Sequence, residues 1–295
     1  MDVATLAVIG LVVGFVGGLL GVGGSIILIP ALTEVLGPDQ HLYQAAAMIV
    51  NFLVAVPAVV QHRRVGAIDG PTVRRIIPLA TFSIVVGVGI SELHVFAGDR
   101  EVYLRGFFGL FLMACGFYEI HRLIRRGSRA EAETIPVRHG WLPIALVAVP
   151  TGLVGGWLGV GGGLLSIPLQ RRLLNVSIRT AIANSAAIII ATSFLGAIVK
   201  NYAYMAENDG SFAPVLLAFV VGPTAIVGSL FGGRLTHRLP ARVVRWCFVV
   251  VLLASALRMT WGAAKSLPAT VPPATLSARW GEPHDASRRA QPHPL

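Results

Sequence analysis

Two glycine-rich phrases hold the residues best placed to do chemistry. GLLGVGGSIILIP occupies Gly18–Pro30, and GWLGVGGGLLSIP occupies Gly156–Pro168, 138 residues later. Backbone amides freed by glycine at the start of a helix can cradle an anion, because unpaired N–H groups and the positive dipole end point the same way. A dinucleotide fingerprint needs G-x-G-x-x-G, and a Walker loop needs G-K-[ST]. Neither phrase has the lysine or that glycine spacing, which sets nucleotide binding aside. The amides around Gly21, Gly23, Gly24, Gly159, Gly161, Gly162 and Gly163 remain as candidate ligands for a small oxyanion.

Hydroxyls and carboxamides within the apolar runs could complete such a site. They are Ser25, Asn51, Asn184, Ser185, Thr192 and Ser193, with Asn51 and the Ala183–Ser185 stretch the strongest. Each also suits a plain hydrogen bond between membrane helices. The central parts of the runs contain no Asp, Glu or Lys; Glu92, Glu119, Arg179 and Lys200 fall at run ends. A cation carrier or proton relay usually buries a carboxylate, so sodium or metal import is disfavoured. An intramembrane enzyme would need a nucleophile with its base, or a metal cluster, and neither is evident. Cys115 and Cys247 sit singly without a C-x-x-C, which argues against zinc or redox use. All eight histidines lie at or beyond run ends and read as interfacial. The expectation is a neutral, anion-binding site with no metal, no cofactor and no catalytic residue. Arg179 would gather anions at its mouth.

The elements that position these groups follow from composition. Only 13% of the 295 residues are charged, against about 25% in a soluble domain. Apolar segments read at 3–33, 42–60, 74–93, 102–124, 141–169, 180–200, 212–235 and 242–264. A run of about twenty such residues crosses a hydrocarbon core of roughly 30 Å. The chain is therefore an all-α polytopic membrane protein. Its net charge of +10 lies in arginines between the runs, where cytoplasmic membrane loops carry them; nucleic acid is not implied, and membrane lipid is the expected surrounding. The first run lacks a basic leader region and a cleavage site, so it is expected to stay attached. The polar stretch 125–140 reads as a cytoplasmic linker between a first repeat, 1–124, and a second, 141–264. The tail, 265–295, is rich in Pro, Ser, Ala and Arg and is expected to be disordered.

The two halves are a duplication. Gly14–Pro30 matches Gly152–Pro168 at eleven of seventeen positions without a gap, and in membrane proteins such duplication usually signals a transporter. The first segment, as one helix of about 31 residues, would be about 46 Å long, too long for a straight crossing. Its middle holds Gly17, Gly18, Gly21, Gly23 and Gly24, which disfavour a helix interior and permit a reversal. If segments one and five each dip in and return, Lys and Arg near the membrane divide sixteen against five between its sides, the bias expected of membrane topology. The repeats are then inverted, with the first segment of each broken at its glycine-rich tip. The same glycines could instead serve close helix packing, as in Gly14-x-x-x-Gly18 and Gly152-x-x-x-Gly156; different glycines of one phrase can do both. Such packing glycines also permit a homodimer.

The doubled GxVGGxLGVGG…IP, the AIANS at Ala181–Ser185 and the late Gly228–Leu235 (GSLFGGRL) resemble the sulfite exporter TauE/SafE family of membrane permeases, over residues 4–264. The resemblance implies a bacterial cytoplasmic-membrane carrier of small sulfur-containing anions such as sulfite or organosulfonates. It also implies functional positions at Gly21, Gly23, Gly24, Gly159, Gly161 and Gly162, with Asn184 and Ser185 following the second copy. After the first copy the chain reads AAAMIVN (Ala45–Asn51) and lacks the small-hydroxyl pair of the second, so an asymmetric site is expected. The expected function is a secondary transporter working by alternating access. The alternative is a non-transporting membrane assembly or scaffold protein.

Overall fold

A computed structural model describes residues 3–93, 96, 101–126 and 140–266. Almost all of the expected linker and nearly the whole tail lie outside the described residues. Ten helices follow in order: α1 (Val3–Leu20), α2 (Ser25–Leu36), α3 (Gln40–Arg64), α4 (Gly70–Ser91), α5 (Glu101–Arg126), α6 (Trp141–Trp157), α7 (Gly163–Leu169), α8 (Ile178–Glu207), α9 (Ala213–Arg238) and α10 (Ala241–Ser266). A π-turn, Gln170–Leu174, continues α7. Six of the helices (α1, α3, α4, α8, α9 and most of α10) are long and apolar enough to cross a membrane. The chain is a multi-pass membrane protein.

Both long glycine-bearing segments are broken where the phrases lie. The first divides into α1 and α2, the second into α6 and α7. Gly21, Gly23, Gly159, Gly161 and Gly162 all have positive φ, a region closed to most side chains. After each break the chain folds back on itself: a Cβ on Gly17 would lie 2.8 Å from the Gly23 carbonyl oxygen, and one on Gly162 would lie 2.8 Å from Thr151. Three long helices complete each half, α3–α5 and α8–α10. Starts are set locally. Asp39 accepts from the Leu42 amide at 2.9 Å to begin α3, and Ser177 accepts from the Thr180 amide at 3.1 Å to begin α8, both N-caps of the usual kind.

The halves interleave. α3 and α8 pack together at the centre, α5 packs on α10, and the first helix of each half packs on the fourth of the other, α1 on α9 and α6 on α4. These last seams are backbone to backbone. A Cβ on Gly18 would stand 2.5 Å from the Ser229 carbonyl oxygen, and one on Gly156 would meet the Ile84 carbonyl and stand 2.7 Å from the Val88 amide. Glycines of each phrase thus serve both readings, packing in the helix and reversal at its end. A hydroxyl binds the α1–α9 seam further, Thr236 Oγ1 donating to the Leu19 carbonyl at 2.7 Å, while Ser229 Oγ ties α9 to α3 through the Val54 carbonyl at 2.6 Å.

The seams can be tested against an open position on the same helix pair. Gly156→Ala is expected to lower the Tm of the purified protein, with a cost of about 1–3 kcal/mol from overpacking. Gly89→Ala, whose Cβ meets nothing within 4 Å, should leave Tm unchanged or raise it, since alanine improves a helix interior by about 1 kcal/mol.

Candidate functional site

The two glycine tips meet. A Cβ on Gly163 would lie 2.9 Å from the Val22 carbonyl oxygen, so the second tip rests on the first. Each tip also docks on the central helix of the other half: Gly21 lies against the Ile182 carbonyl on α8, and Gly159 against Gln44 on α3. Gln44 and Ile182 are 138 residues apart, the repeat offset, so the crossing is pseudo-symmetric.

Two amides of the first tip are taken. Asn51 Oδ1 accepts from the Gly24 amide at 2.6 Å and from the Ser25 amide at 2.9 Å, filling the first orphan donors of α2 with a side chain from α3. At Gly24 and Ser25 this departs from the expectation of free amides, and burial supplies the reason. Ser25 and Asn51 are both fully buried, and an amide left unpaired there would cost about 1–3 kcal/mol. At the second tip the chain's own carbonyls are held instead: Thr192 Oγ1 donates to the Gly161 carbonyl at 2.7 Å and Ser185 Oγ to the Gly163 carbonyl at 3.1 Å. Gly162 is left-handed where its equivalent, Gly24, is right-handed. The two tips therefore differ in backbone as well as in side chains.

Ser25 Oγ, Asn51 Nδ2 and Ser193 Oγ are buried donors at this junction without a partner, and Thr151 Oγ1, on the residue against Gly162, is another. Ser25 touches Asn51 through the amide bond above. Asn51 and Ser193 face the same turn, since a Cβ on Gly161 would meet Ser193 Oγ and lie 3.1 Å from Asn51 Nδ2. Buried polar groups are normally satisfied, and these orphaned donors gather where the two tips meet.

Of the sequence-derived residues, Gly21, Gly23, Gly24, Ser25, Asn51, Gly159, Gly161, Gly162, Gly163, Ser185 and Thr192 are brought to the two tips. Asn184 is not at this junction. Its Nδ2 donates to Gln170 Oε1 at 3.0 Å, and its Oδ1 accepts from the Asp69 amide at 2.8 Å, tying the π-turn, α8 and the start of α4 together. Two charged groups read as terminal are buried. α8 runs two turns past Lys200, which is fully buried among Ser91 Oγ at 2.9 Å, His41 Nδ1 at 3.1 Å and Glu92. Glu119 pairs with Arg171 at 3.3 Å, both buried. His62, read as interfacial, is fully buried against His237, with Nδ1 and Nε2 at 2.8 Å.

The sequence pattern of the sulfite exporter TauE/SafE family matches residues 6–259. Among curated relatives, the chain is 26% identical over 288 residues to the probable membrane transporter protein MamO of Paramagnetospirillum magneticum, covering 88% of this chain and 44% of that protein. It thus spans less than half the length of that relative. A probable membrane transporter protein of Xylella fastidiosa (strain Temecula1) is 28% identical over 265 residues, 87% of this chain and 94% of the relative. One from Methanocaldococcus jannaschii is 24% identical over 253 residues, 81% and 88% respectively. No solved structure matches the chain.

Asn51→Ala strands two buried amides at once. It is expected to destabilise the protein by about 2–6 kcal/mol, at about 1–3 kcal/mol per unsatisfied group, read as a fall in Tm together with faster amide exchange at Gly24 and Ser25.

Proposed function

We propose that this chain, which belongs to the sulfite exporter TauE/SafE family, is a secondary transporter that moves a small sulfur-containing oxyanion, sulfite or an organosulfonate, across the bacterial cytoplasmic membrane by alternating access. The observation that carries this reading is the set of orphaned donors Ser25 Oγ, Asn51 Nδ2 and Ser193 Oγ where the two tips meet. An oxyanion offers several acceptor oxygens and needs no buried cation to hold it when N–H and O–H dipoles converge. The junction offers donors without a nucleophile–base pair, which suits passage rather than catalysis, and the relatives named as probable transporters point the same way.

The mechanism follows from the packing. Both tips rest on the central pair α3 and α8, and each half is tied to the other through α1 on α9 and α6 on α4. Rocking of these two interleaved bundles about the tip junction would expose the donors to one side and then the other, with the site itself moving little. An inverted arrangement of the repeats fits this reading, since three crossings after a broken segment would turn the second half over. The end carrying Arg63, Arg64, Arg172, Arg234 and Arg238 then faces the cytoplasm. Lipid and a second copy of the chain are the partners this reading allows.

Transport and topology are separately testable. In proteoliposomes, ³⁵S-sulfite flux is expected to saturate with concentration. Asn51→Asp keeps an acceptor for the Gly24 and Ser25 amides but removes the Nδ2 donor, so it should retain Tm within a few degrees and lose at least nine-tenths of the flux. Normal flux in that variant would remove the tip from the mechanism. For topology, single cysteines replacing Arg63, Arg172 and Asn208, in a background without Cys115 and Cys247, are labelled with a membrane-impermeant reagent. Arg63→Cys and Arg172→Cys should label from the same side and Asn208→Cys from the other; Arg63→Cys and Arg172→Cys on opposite sides would mean parallel halves.

A further inference from the structure

The repeat relates two polar clusters that lie at opposite ends of the central helix pair. With the 138-residue offset, His62 on α3 corresponds to Lys200 on α8. The fourth helices are related by a slightly larger step. Gly87 on α4 lies against the Leu153 carbonyl and the Trp157 amide, while Gly232 on α9 lies against the Phe15 carbonyl and the Leu19 amide; Phe15 and Leu19 are the equivalents of Leu153 and Trp157. That registration places Glu92, just past α4, opposite His237 on α9. The two contacts are equivalent as well: Lys200 with Glu92, and His62 with His237. At one end a cation has its own carboxylate. At the other, the carboxylate is missing.

What surrounds the histidines makes that absence consequential. A pocket of about 360 Å³ is lined by Gln61, Arg64, Gly233, Arg234, His237 and Arg238. Arg179 donates to the Leu239 carbonyl at 2.9 Å and stands near enough to His237 to act on it electrostatically. Arg64, Arg234 and Arg238 have no carboxylate or hydrogen-bond partner among the described residues, and His62 Nε2, fully buried behind His237, has none either. The negative ends of the α3 and α9 dipoles tolerate these cations when the pocket is empty. Guanidinium groups in this number are forks for an oxyanion's paired oxygens.

We propose that this pocket, at the ends of α3 and α9, is an oxyanion-binding site in which the guest supplies the charge that Glu92 supplies at the equivalent place in the other half. Arg64, Arg234 and Arg238 bind the oxygens, and His237, held by His62, donates from behind. The inference rests on the transport reading for its purpose, a loading site at the cytoplasmic mouth, but not for its geometry. A free oxyanion and the phosphate headgroup of a lipid share the chemistry recognised.

The test is equilibrium binding of ³⁵S-sulfite to the full chain in phosphatidylcholine nanodiscs. R234Q/R238Q is expected to bind at least tenfold more weakly than the parent, while R74Q/R75Q, which removes the same charge from the same end outside the pocket, binds as the parent does. Substituting phosphatidylglycerol for half the lipid separates the sources. Unchanged parental affinity assigns the pocket to a free oxyanion; weakening seen in the parent and absent from R234Q/R238Q assigns it to a headgroup, and either result supports the site. Equal affinity of the parent and R234Q/R238Q, or an equal loss in R74Q/R75Q, overturns it. A parent that binds sulfite yet shows no flux would defeat the transport reading and leave this site standing.

Discussion

A chain that breaks its helix at membrane depth must find partners inside the protein for the amides and carbonyls it frees, because lipid offers none. The rest of this structure can be read as the answer to that requirement, made twice. Asn51 accepts from two amides of the first tip, Thr192 and Ser185 donate hydrogen bonds to two carbonyls of the second, and each tip leans on the central helix of the other half. The central pair α3 and α8 is therefore more than a spacer. It supplies the hydrogen bonds without which neither reversal could be buried.

Duplication built the scaffold, but the chemistry at its centre is not duplicated. The repeat offset carries Asn51 to Ile189 and Ser193 to Ala55. Each half contributes a polar group where the other has a hydrocarbon, so the polar groups at the junction come from both halves and are not repeated. The same divergence separates the ends, where a lysine–carboxylate pair in one half corresponds to two imidazoles in the other. Shared backbone and unshared side chains give a nearly symmetric frame two chemically distinct ends.

Much of this was legible in the sequence. The glycine phrases announced the breaks because positive-φ positions leave glycine little competition, and the gapless match announced the repeat. Asn51 stood out as a carboxamide in an apolar run. Its role as a cap could not be read, since which buried acceptor meets which amide depends on how two distant segments pack. Asn184 looked equally suited and sits elsewhere for the same reason. Lys200 was misplaced because hydropathy falls at Lys200–Asn201 although the helical hydrogen bonding continues to Glu207. The signal that could have found the buried pairs was the offset itself: aligning His62 with Lys200 puts two titratable groups at one structural position.

The exchange of first helices between the halves bears on how the protein is made. α1 leaves the ribosome early, but the surface its glycines fit, on α9, is synthesised about 200 residues later, roughly ten to forty seconds at ordinary elongation rates. Through that interval a helix bearing Gly10, Gly14 and Gly18 must wait in the bilayer beside lipid or the insertion machinery, its groove unfilled. Neither half can reach its final packing by itself. Biogenesis has to hold the nascent chain open until α9 arrives, and an ancestral single-repeat protein with this seam would have had to close it against a second molecule.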